Sequence, residues 1–412
     1  MAVIRYGNHS VIGFGSMGNP SIYFSETSAG IKDWRTGKDS DGRIVLYEYL
    51  GEYSTSETLN VPNKYGLTTI NDYRLGSTTT ASNTPFYNNP NVISVDLKNV
   101  PFKNNSMYRA FYNCRNLTSV NGINKNVTNM SQTFNFCYNL NQNIQIPNSV
   151  TNMYSTFKAC SNLNQNIKIP NSVTSMHYTF AQCYHLNQSI QIPNSVTSMS
   201  GTFSYCRNLN QNIQIPNSVT NMSDTFSYCS NFNQNIQIPN SVTRMYQTFA
   251  YCFNLNQNIQ IPNSVTNMSD TFAECSNLNQ NIQIPSSVTS MYCTFAGCTN
   301  LNQNIQIPNS VTDMSRTFSS CHKFNQNIQI PSSVTNMSDT FSYCSNLGSQ
   351  IYILSQNITD AVDCFYNTSL PKDVYIPYTY DNGEYTKTYN SFNIAGYFGG
   401  INGVTMHDLN AT

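Results

Sequence analysis

A 23-residue unit recurs along most of this chain, and its period constrains the fold more than any other feature. One unit, residues 229–251, reads CSNFNQNIQIPNSVTRMYQTFAY, and Cys252 begins the next unit. Its apolar residues are spaced too unevenly for one long helix and in the manner of short strands joined by turns. Each unit has too few apolar side chains to bury a face alone, so it must stack on its neighbours. A fixed period of this size therefore predicts a solenoid, with an elongated rod or arc as its shape.

Three segments of the unit have distinct predicted roles. Ile236-Gln237-Ile238 is the clearest strand, and Pro239 ends it because proline cannot donate to a ladder. Val-Thr-x-Met is a second extended stretch. Thr-Phe-x-x-Cys is a tight turn or one helical turn that places Phe and Cys in the core. The sequence therefore predicts a fold that is mainly β, with short helical or 3-10 turns.

Eleven of the thirteen cysteines occupy one position of the repeat. In stacked coils, equivalent Cβ atoms lie at least about 4.8 Å apart, whereas a disulfide needs Cβ atoms about 3.8 Å apart. We therefore expect a buried ladder of free thiols. Cys293 lies outside this position and takes a surface position in its unit. It is the cysteine most open to reaction, with an inert surface cysteine as the preferred interpretation. The thiol ladder consists of Cys114, Cys137, Cys160, Cys183, Cys206, Cys229, Cys252, Cys275, Cys298, Cys321 and Cys344.

The corner before each strand repeats a Leu-Asn-Gln-Asn sequence, as in residues 140–143. Stacked Asn and Gln amides can bond from one coil to the next, as they do in other stacked strands. Ser189 replaces one Asn of this corner and is expected to weaken the amide ladder locally.

The repeat degenerates towards both ends, which predicts four regions. Residues 1–45 form a small β domain with a hairpin of Ala2–Tyr6 and Ser10–Ile12 and a strand from Arg43 to Tyr49. Residues 46–113 are degenerate capping repeats, since a solenoid needs atypical ends. Residues 114–366 are the regular solenoid. Residues 367–412 are a C-terminal cap, or alternatively a tip that itself contacts a partner.

Residues 13–18, GFGSMG, match the dinucleotide fingerprint G-x-G-x-x-G. That site needs a helix opening at the third glycine, within a strand-helix-strand unit. Asn19-Pro20 follows instead, without a helical apolar pattern, so a glycine-rich turn is the preferred interpretation. No cofactor is predicted.

Charge and composition exclude several function classes. The chain has 20 basic and 20 acidic residues and no basic stripe, so nucleic acid is not an expected partner. No signal peptide and no apolar run of membrane-spanning length is visible. The five histidines, at 9, 177, 185, 322 and 407, have neither metal-ligand spacing nor a catalytic motif. We therefore predict that the protein is not an enzyme, holds no metal and does not insert into a membrane.

Residues 230–236, SNFNQNI, and 219–226, VTNMSDTF, resemble the BspA-like leucine-rich repeats, including those of mycoplasma and other bacterial surface lipoproteins. The resemblance covers about 310 residues. It implies a leucine-rich-repeat solenoid, to which the residues themselves add the small β N-terminal domain and the C-terminal cap. It also implies binding rather than catalysis, often in attachment to cells or matrix.

The opening MAVIRYGN, the segment from Tyr375 to Tyr397 and the Asn/Tyr/Ile-rich composition resemble repeat proteins of bacteriophages. That resemblance implies a virion appendage, a tail or head fibre or receptor-binding protein, assembled in the host cytoplasm. Its N-terminal region would bind other virion proteins, and its solenoid a host surface protein or glycan. The alternative is a bacterial surface or secreted adhesin. A homo-oligomer is conceivable, although no heptad repeat supports it.

The positions that vary between repeats, next to Met and Cys, are rich in aromatic residues. Stacked on one face, these side chains would form a receptor-contact stripe, because tyrosine offers large contact area at low entropic cost. The alternative is that solvent-facing positions simply drift. The candidate residues are Tyr154, His177, Tyr178, Tyr184, His185, Tyr205, Tyr228, Tyr246, Tyr251, Phe253, Tyr292 and Tyr343.

Overall fold

The computed structural model describes residues 86–90, 92–97, 99, 101–348, 350–369 and 373–376, together with strands nearer the two termini. It divides into unit 1, Met1–Ser198, and unit 2, Met199–Thr412. The predicted fold class is confirmed: each unit stacks short coils whose apolar side chains face inward. The glycine fingerprint at 13–18 lies outside the described residues, and the four predicted regions stay a prediction.

Unit 1 begins with the predicted hairpin, in which β1 (Val3–Tyr6) pairs antiparallel with β2 (His9–Ile12). The strands that follow are β3 (Trp34–Lys38), β4 (Ile44–Tyr49), β5 (Leu59–Asn60), β6 (Tyr73–Leu75), β7 (Ser94–Asp96) and β8 (Ser119–Asn121). One sheet has the order β3-β4-β6, where β4 is antiparallel to β3 and parallel to β6. A third, parallel sheet has the order β5-β7-β8. Lys103–Asn105 forms a 3-10 turn.

Unit 2 contains a parallel sheet of order β14-β11-β10-β9, made of β9 (Ile328–Ile330), β10 (Gln350–Ile353), β11 (Asp373–Ile376) and β14 (Thr405–Asp408). A hairpin joins β12 (Thr379–Asp381) to β13 (Glu384–Thr386).

The segment from Met to Cys carries most of the backbone hydrogen bonds between coils. In the coil of Met222–Cys229, the N–H groups of residues 222, 224, 226 and 228 donate to the next coil over 2.7–2.9 Å. The carbonyls of residues 221, 223, 225 and 227 accept from the preceding coil over 2.7–3.0 Å. Successive residues thus serve opposite neighbours, and this segment ties each coil to both sides. It consists of tight turns rather than the helical turn that the sequence also allowed.

Two residues of each such segment have positive φ, as Asp224 (56°) and Tyr228 (59°) do. Left-handed backbone is uncommon for residues other than glycine, and least favourable for bulky ones. Here it closes turns in which Thr225 N–H donates to Met222 O and Cys229 N–H to Phe226 O, both over 3.0 Å. The hydrogen bonds within and between coils therefore fix a conformation that these side chains do not favour by themselves.

The core of each unit is a series of identical columns. Phenylalanine rings stack from Phe86 to Phe180 in unit 1, with centroids 4.8–5.5 Å apart. In unit 2 they stack from Phe203 to Phe365, with centroids 5.5–5.8 Å apart. Beside them, buried threonine hydroxyls bond to methionine carbonyls, as Thr248 does to Met222 and Met245 over 3.0 and 2.8 Å. The uniform columns explain why the repeat tolerates little change at these positions.

The Ile-Gln-Ile segment does not form the predicted strand in eight regular coils between residues 144 and 307. In five of these coils the first Ile N–H turns back to a Gln carbonyl of its own coil, as Ile259 does to Gln257 over 3.0 Å. The proline that follows has no N–H, so few donors remain for a ladder. Strand pairing appears only at Ile328–Ile330, whose neighbour ends in Leu354 instead of proline. Leu354 N–H donates to Ile330 O over 2.9 Å.

The second extended stretch, Val-Thr-x-Met, pairs through single parallel bridges, as between Asn129 and Asn152. The predicted amide ladder is confirmed at the first Asn of the corner: Asn233 Oδ1 accepts from Asn256 N–H and Gln257 Nε2 over 2.9 and 3.1 Å. Ser189 occupies a different column. At its equivalents, Asn212 and Asn258 accept from a glutamine of their own coil, whereas Asn327 Oδ1 accepts from Gln350 N–H of the next coil over 3.0 Å. The expectation that Ser189 weakens the amide ladder locally stays a prediction.

Candidate functional site

The predicted stripe includes one stack of tyrosines in unit 2. Tyr205, Tyr228 and Tyr251 precede three successive ladder cysteines, where the backbone has φ of 59–62°. Their rings are parallel within 7°, and neighbouring centroids are 4.1 Å apart. Phe253 stands edge-on to Tyr251, with its centroid 6.2 Å away. The structure thus brings four of the predicted residues together.

The geometry of this stack determines what it can bind. The inner ring faces contact one another, so Tyr228 offers its edge and hydroxyl rather than a face. Desolvation raises the pKa of both Tyr205 and Tyr228. The hydrogen bond between the two hydroxyls raises the pKa of Tyr205 further and lowers that of Tyr228, whose bond to Tyr251 raises it. Tyr205 and Tyr228 therefore stay protonated at neutral pH. The cluster suits hydrogen bonding and edge contact, whereas Phe253, 42% exposed, presents apolar surface.

Two further tyrosines of unit 2, Tyr246 and Tyr292, follow methionines and are 46% and 37% exposed. Asp224 and Asp270 lie near Tyr246, and desolvation followed by these carboxylates raises the pKa of its hydroxyl. Desolvation by burial also raises the pKa of both carboxyl groups. This part of the surface combines exposed aromatic rings with weakly acidic groups.

In unit 1 the predicted residues form a smaller cluster. The ring centroid of His177 lies 5.6 Å from that of Tyr154 and 4.6 Å from that of Tyr178. Desolvation lowers the pKa of His177, which favours the neutral imidazole. His185 Nδ1 lies 2.8 Å from Ser161 O of the preceding coil, and Tyr184 is half-buried beside it. The two histidines thus have different surroundings.

The twelve residues occupy several repeat positions rather than one. Tyr154, His177, Tyr246 and Tyr292 directly follow methionine, whereas Tyr343 precedes a cysteine and meets Tyr366 edge-on, with centroids 5.5 Å apart. Their role in recognition stays a prediction.

Sequence reasoning did not select the exposed Tyr138 or the stacked pair Tyr352 and Tyr375, whose centroids are 4.4 Å apart. The signal for the pair was present, because Tyr352 replaces Gln in the Ile-Gln-Ile segment.

The cysteines of the predicted ladder are buried in the two units and form no disulfide in the structure. Each thiol donates to a Phe carbonyl of the preceding coil where the bond is described, as Cys229 does to Phe203 over 3.1 Å. Burial raises the pKa of Cys344 to about 12. The chemistry of these groups is that of small buried hydrophobes with one weak hydrogen bond.

Cys293 is less exposed than the sequence indicated. It is half-buried at a position with φ of 51°, and its thiol interacts with the Tyr292 hydroxyl. Desolvation raises its pKa to about 11. Cys293 therefore remains the most accessible of the thiols but is less nucleophilic than a free cysteine at neutral pH.

Within the described residues, no group of three or more His, Cys, Asp or Glu side chains is arranged to hold a metal ion. The same part of the chain contains no helix of the length and hydropathy needed to cross a membrane.

Two solved structures have a similar fold. A leucine-rich repeat protein from Bacteroides ovatus is 21% identical, with a TM-score of 0.63, and the alignment covers 93% of this chain and 100% of that chain. A leucine rich cell surface protein from Faecalibacterium prausnitzii is 23% identical, with a TM-score of 0.52, and 81% and 94% of the two chains are covered. A comparison with curated proteins gives no match.

One protein-family model matches five overlapping segments, residues 105–215, 192–285, 220–330, 243–353 and 284–376. Together these segments span about two thirds of the chain. The matches begin and end within the stacked coils, and the resemblance to mycoplasma-type repeats is thereby confirmed. With its leucine-rich-repeat fold, the chain belongs to the family described as Mycoplasma protein of unknown function, DUF285.

Proposed function

We propose that this protein is a non-enzymatic binding protein of the bacterial cell surface, which attaches to host cells or matrix through side chains on the outside of its coils. Its family, and the fold that it shares with a cell surface protein, support this proposal. The observation that carries it is the placement of exposed aromatic residues on a nearly invariant scaffold. Tyr246, Phe253 and Tyr292 are 46%, 42% and 37% exposed in three adjacent coils of unit 2.

The repeat provides a substitution that removes these rings without disturbing the coils. Serine occupies the position after methionine in Ser223 and Ser269, and the position after the ladder cysteine in Ser230 and Ser276. Changing Tyr246, Phe253 and Tyr292 together to Ser therefore restores residues that the neighbouring coils already carry.

The test compares beads coated with the parent chain and with the triple variant for attachment to cultured epithelial cells and to fibronectin- or collagen-coated wells. We expect attachment to fall at least about fivefold, since exposed aromatic residues dominate many recognition surfaces. Changing Gln214, Gln237 and Gln260 together to Ala alters three other exposed positions and serves as the matched control. Unchanged attachment of the triple variant, with the thermal midpoint of the parent, would contradict the proposed contact surface.

Location distinguishes this proposal from the prediction of a virion appendage. The proteins described above are bacterial, and none of them supports a phage origin. The segments that suggested it, at the two termini, lie largely outside the described residues. Gold-labelled antibody against this chain should decorate intact bacteria that express it. Labelling confined to purified phage particles would reject a cell-surface location and favour the virion appendage.

The other predicted partners stay predictions. They are virion proteins bound through the N-terminal region and a second copy of the chain. The expectation that the chain contacts neither nucleic acid nor a membrane stays a prediction as well.

A further inference from the structure

Unit 2 contains a surface cavity of about 400 Å³ next to the tyrosine pair of the last coils. Its described lining comes from two successive Ile-Gln-Ile-Pro segments, with Tyr352 at one side. Ile307 and Pro331 contribute apolar surface, and Asn304, Gln306 and Gln329 contribute amides. None of the described lining residues is charged. The volume lies in the range of small-ligand sites, and the lining is more polar than apolar.

One face of the Tyr352 ring lies on the side of this cavity. Strand β10 lies between β9 and β11, and the register places Tyr352 opposite Gln329 on one side and Tyr375 on the other. Tyr375 stacks on one ring face, with centroids 4.4 Å apart and planes 10° apart. The opposite face lies on the side of Gln329, which lines the same cavity. Among the described residues no second aromatic ring stacks on this face, whereas Tyr228 has a ring on each side.

Hydrogen bonds hold the ring and the amides in place. Tyr352 Oη donates to Gln350 Oε1 over 2.9 Å, and Gln350 Nε2 donates to Tyr375 Oη over 3.4 Å. Gln306 Nε2 donates to Asn304 Oδ1 over 2.9 Å. An amide has two N–H donors and an acceptor oxygen, so this bond uses only part of the capacity of Gln306. Groups that are already oriented lose less entropy when a ligand binds.

We infer that this cavity is a binding site for a sugar ring of a neutral glycan. The C–H face of a pyranose is apolar and flat enough to pack on an aromatic ring, and its hydroxyls both donate and accept. Tyr352 supplies the aromatic face, and the planar amides of Gln306 and Gln329 supply paired donors and acceptors. The absence of charge among the described lining residues favours a neutral ligand over an acidic one.

A second cavity, in unit 1, shows what the tyrosine adds. It has a volume of about 500 Å³ and is formed by the equivalent repeat positions, with Lys168 in the outward position and no aromatic residue among its lining. Coils of the regular repeat thus form a cavity with amides, and of these two cavities the one beside Tyr352 has an aromatic ring in its described lining.

This inference rests on the proposed function and names a ligand class for it, at a site separate from Tyr246, Phe253 and Tyr292. The test titrates the full chain with triacetylchitotriose, maltotriose and lacto-N-tetraose, with sialyllactose as the charged comparison. Each is raised to about 10 mM, because isolated sugar sites bind weakly. Calorimetry and saturation-transfer NMR provide the readout. At least one neutral probe should bind more tightly than sialyllactose.

Three variants and one control variant locate the site. Tyr352→Gln installs the residue that this position has in the two preceding coils, Gln306 and Gln329, and should weaken binding at least about tenfold with little change in the thermal midpoint. Tyr352→Phe keeps the ring face and should bind within about threefold of the parent. Gln329→Ala alters only an exposed side chain and should also weaken binding, which covers the case that Tyr352→Gln folds poorly. Gln260→Ala, at the equivalent position three coils earlier, should leave binding unchanged.

The inference is overturned if no neutral probe binds, if sialyllactose alone binds, or if Tyr352→Gln binds like the parent. Its failure is distinguishable from failure of the proposed function. Sugar binding by a chain that does not attach to cells would contradict the surface role alone, whereas attachment that tolerates Tyr352→Gln and Gln329→Ala would place the adhesive contact elsewhere.

Discussion

Two segments of the same coil, Met222–Cys229 and Ile236–Pro239, are held in different ways. The first is hydrogen-bonded through its backbone to the coils on both sides, and it buries Phe226 and Cys229 completely. The second buries Ile236 but leaves Ile238 half-exposed, and it forms no strand. The sequence pattern marks the second as the clearest strand, yet the first connects the coils. An alternation of apolar residues therefore does not by itself create a ladder when a proline removes a donor.

The largest expected difference between the two segments concerns their apolar side chains. Phe226→Ala should lower the free energy of unfolding by about 3–5 kcal/mol, because it empties a fully buried ring position between Phe203 and Phe249. Ile238→Ala removes a half-exposed side chain and should cost about 1 kcal/mol. Guanidinium denaturation followed by circular dichroism measures both. Equal losses would mean that the two segments contribute equally to the core.

A smaller difference is expected for two threonines of one coil. Thr248 is buried and its hydroxyl bonds to Met222 O and Met245 O, so Thr248→Val should cost about 0.5–1.5 kcal/mol through loss of this hydrogen bond, while both carbonyls keep donors from Thr225 and Thr271. Thr243 is exposed and bonds to Thr220 O over 3.3 Å. Thr243→Val is the matched control and should change stability by no more than about 0.5 kcal/mol. A Thr248→Val protein as stable as the control would exclude a role for the hydroxyl column.

The amide corner permits a finer comparison. Asn256 Oδ1 accepts from Asn279 N–H and Gln280 Nε2 of the next coil, over 3.0 and 3.1 Å. Asn258 Oδ1 accepts only from Gln260 of its own coil in the bonds described for it, over 3.2 Å. Asn256→Ala should therefore cost about 0.5–1 kcal/mol, and Asn258→Ala a few tenths. Thermal unfolding of the two variants, measured side by side, shows which substitution lowers stability more. A larger loss for Asn258→Ala than for Asn256→Ala would contradict an inter-coil role for Asn256.

The last prediction concerns the reactivity of a thiol, and almost no change in stability is expected. Iodoacetamide should modify Cys293 before the fully buried cysteines, at a rate that keeps rising with pH towards about 11, where its thiolate becomes the major form. An ordinary thiol would level off nearer its reference pKa of about 8.5. Mass spectrometry of the native protein, with Cys293→Ser as control, counts the modified cysteines. Rapid modification of several cysteines without denaturant would show that the columns open.

The fold was largely predictable because the same local sequence pattern recurs in repeat after repeat and specifies the same coil each time. The cysteine period located the coils, and Phe and Cys at fixed spacing located the core. The strand at Ile-Gln-Ile was predicted wrongly because periodicity reports which side chains face inward and does not report where the backbone donors point. Leu354 replaces the proline of the repeat and supplies an N–H group, and strand pairing resumes there. The missing donor of proline therefore explains why the regular coils between residues 144 and 307 form no strand at this segment.

The candidate site was predictable only as a set of repeat positions. Sequence reasoning selected Tyr205, Tyr228 and Tyr251 together, and the structure brings them together. It did not show that the inner ring faces are covered by stacking, which depends on the distance between coils. It also passed over Tyr352, because a tyrosine inside a strand pattern reads as an ordinary strand residue.

The sequence alone determined the repeat, the identity of the buried columns and the membership of a leucine-rich-repeat family, since each depends on residues close together in the chain and repeated at one period. The tertiary structure alone decided which backbone groups meet between coils, how far Cys293 is covered and which aromatic faces remain open. These properties depend on contacts between residues 22 to 26 positions apart, whose geometry is set by the packing of whole coils.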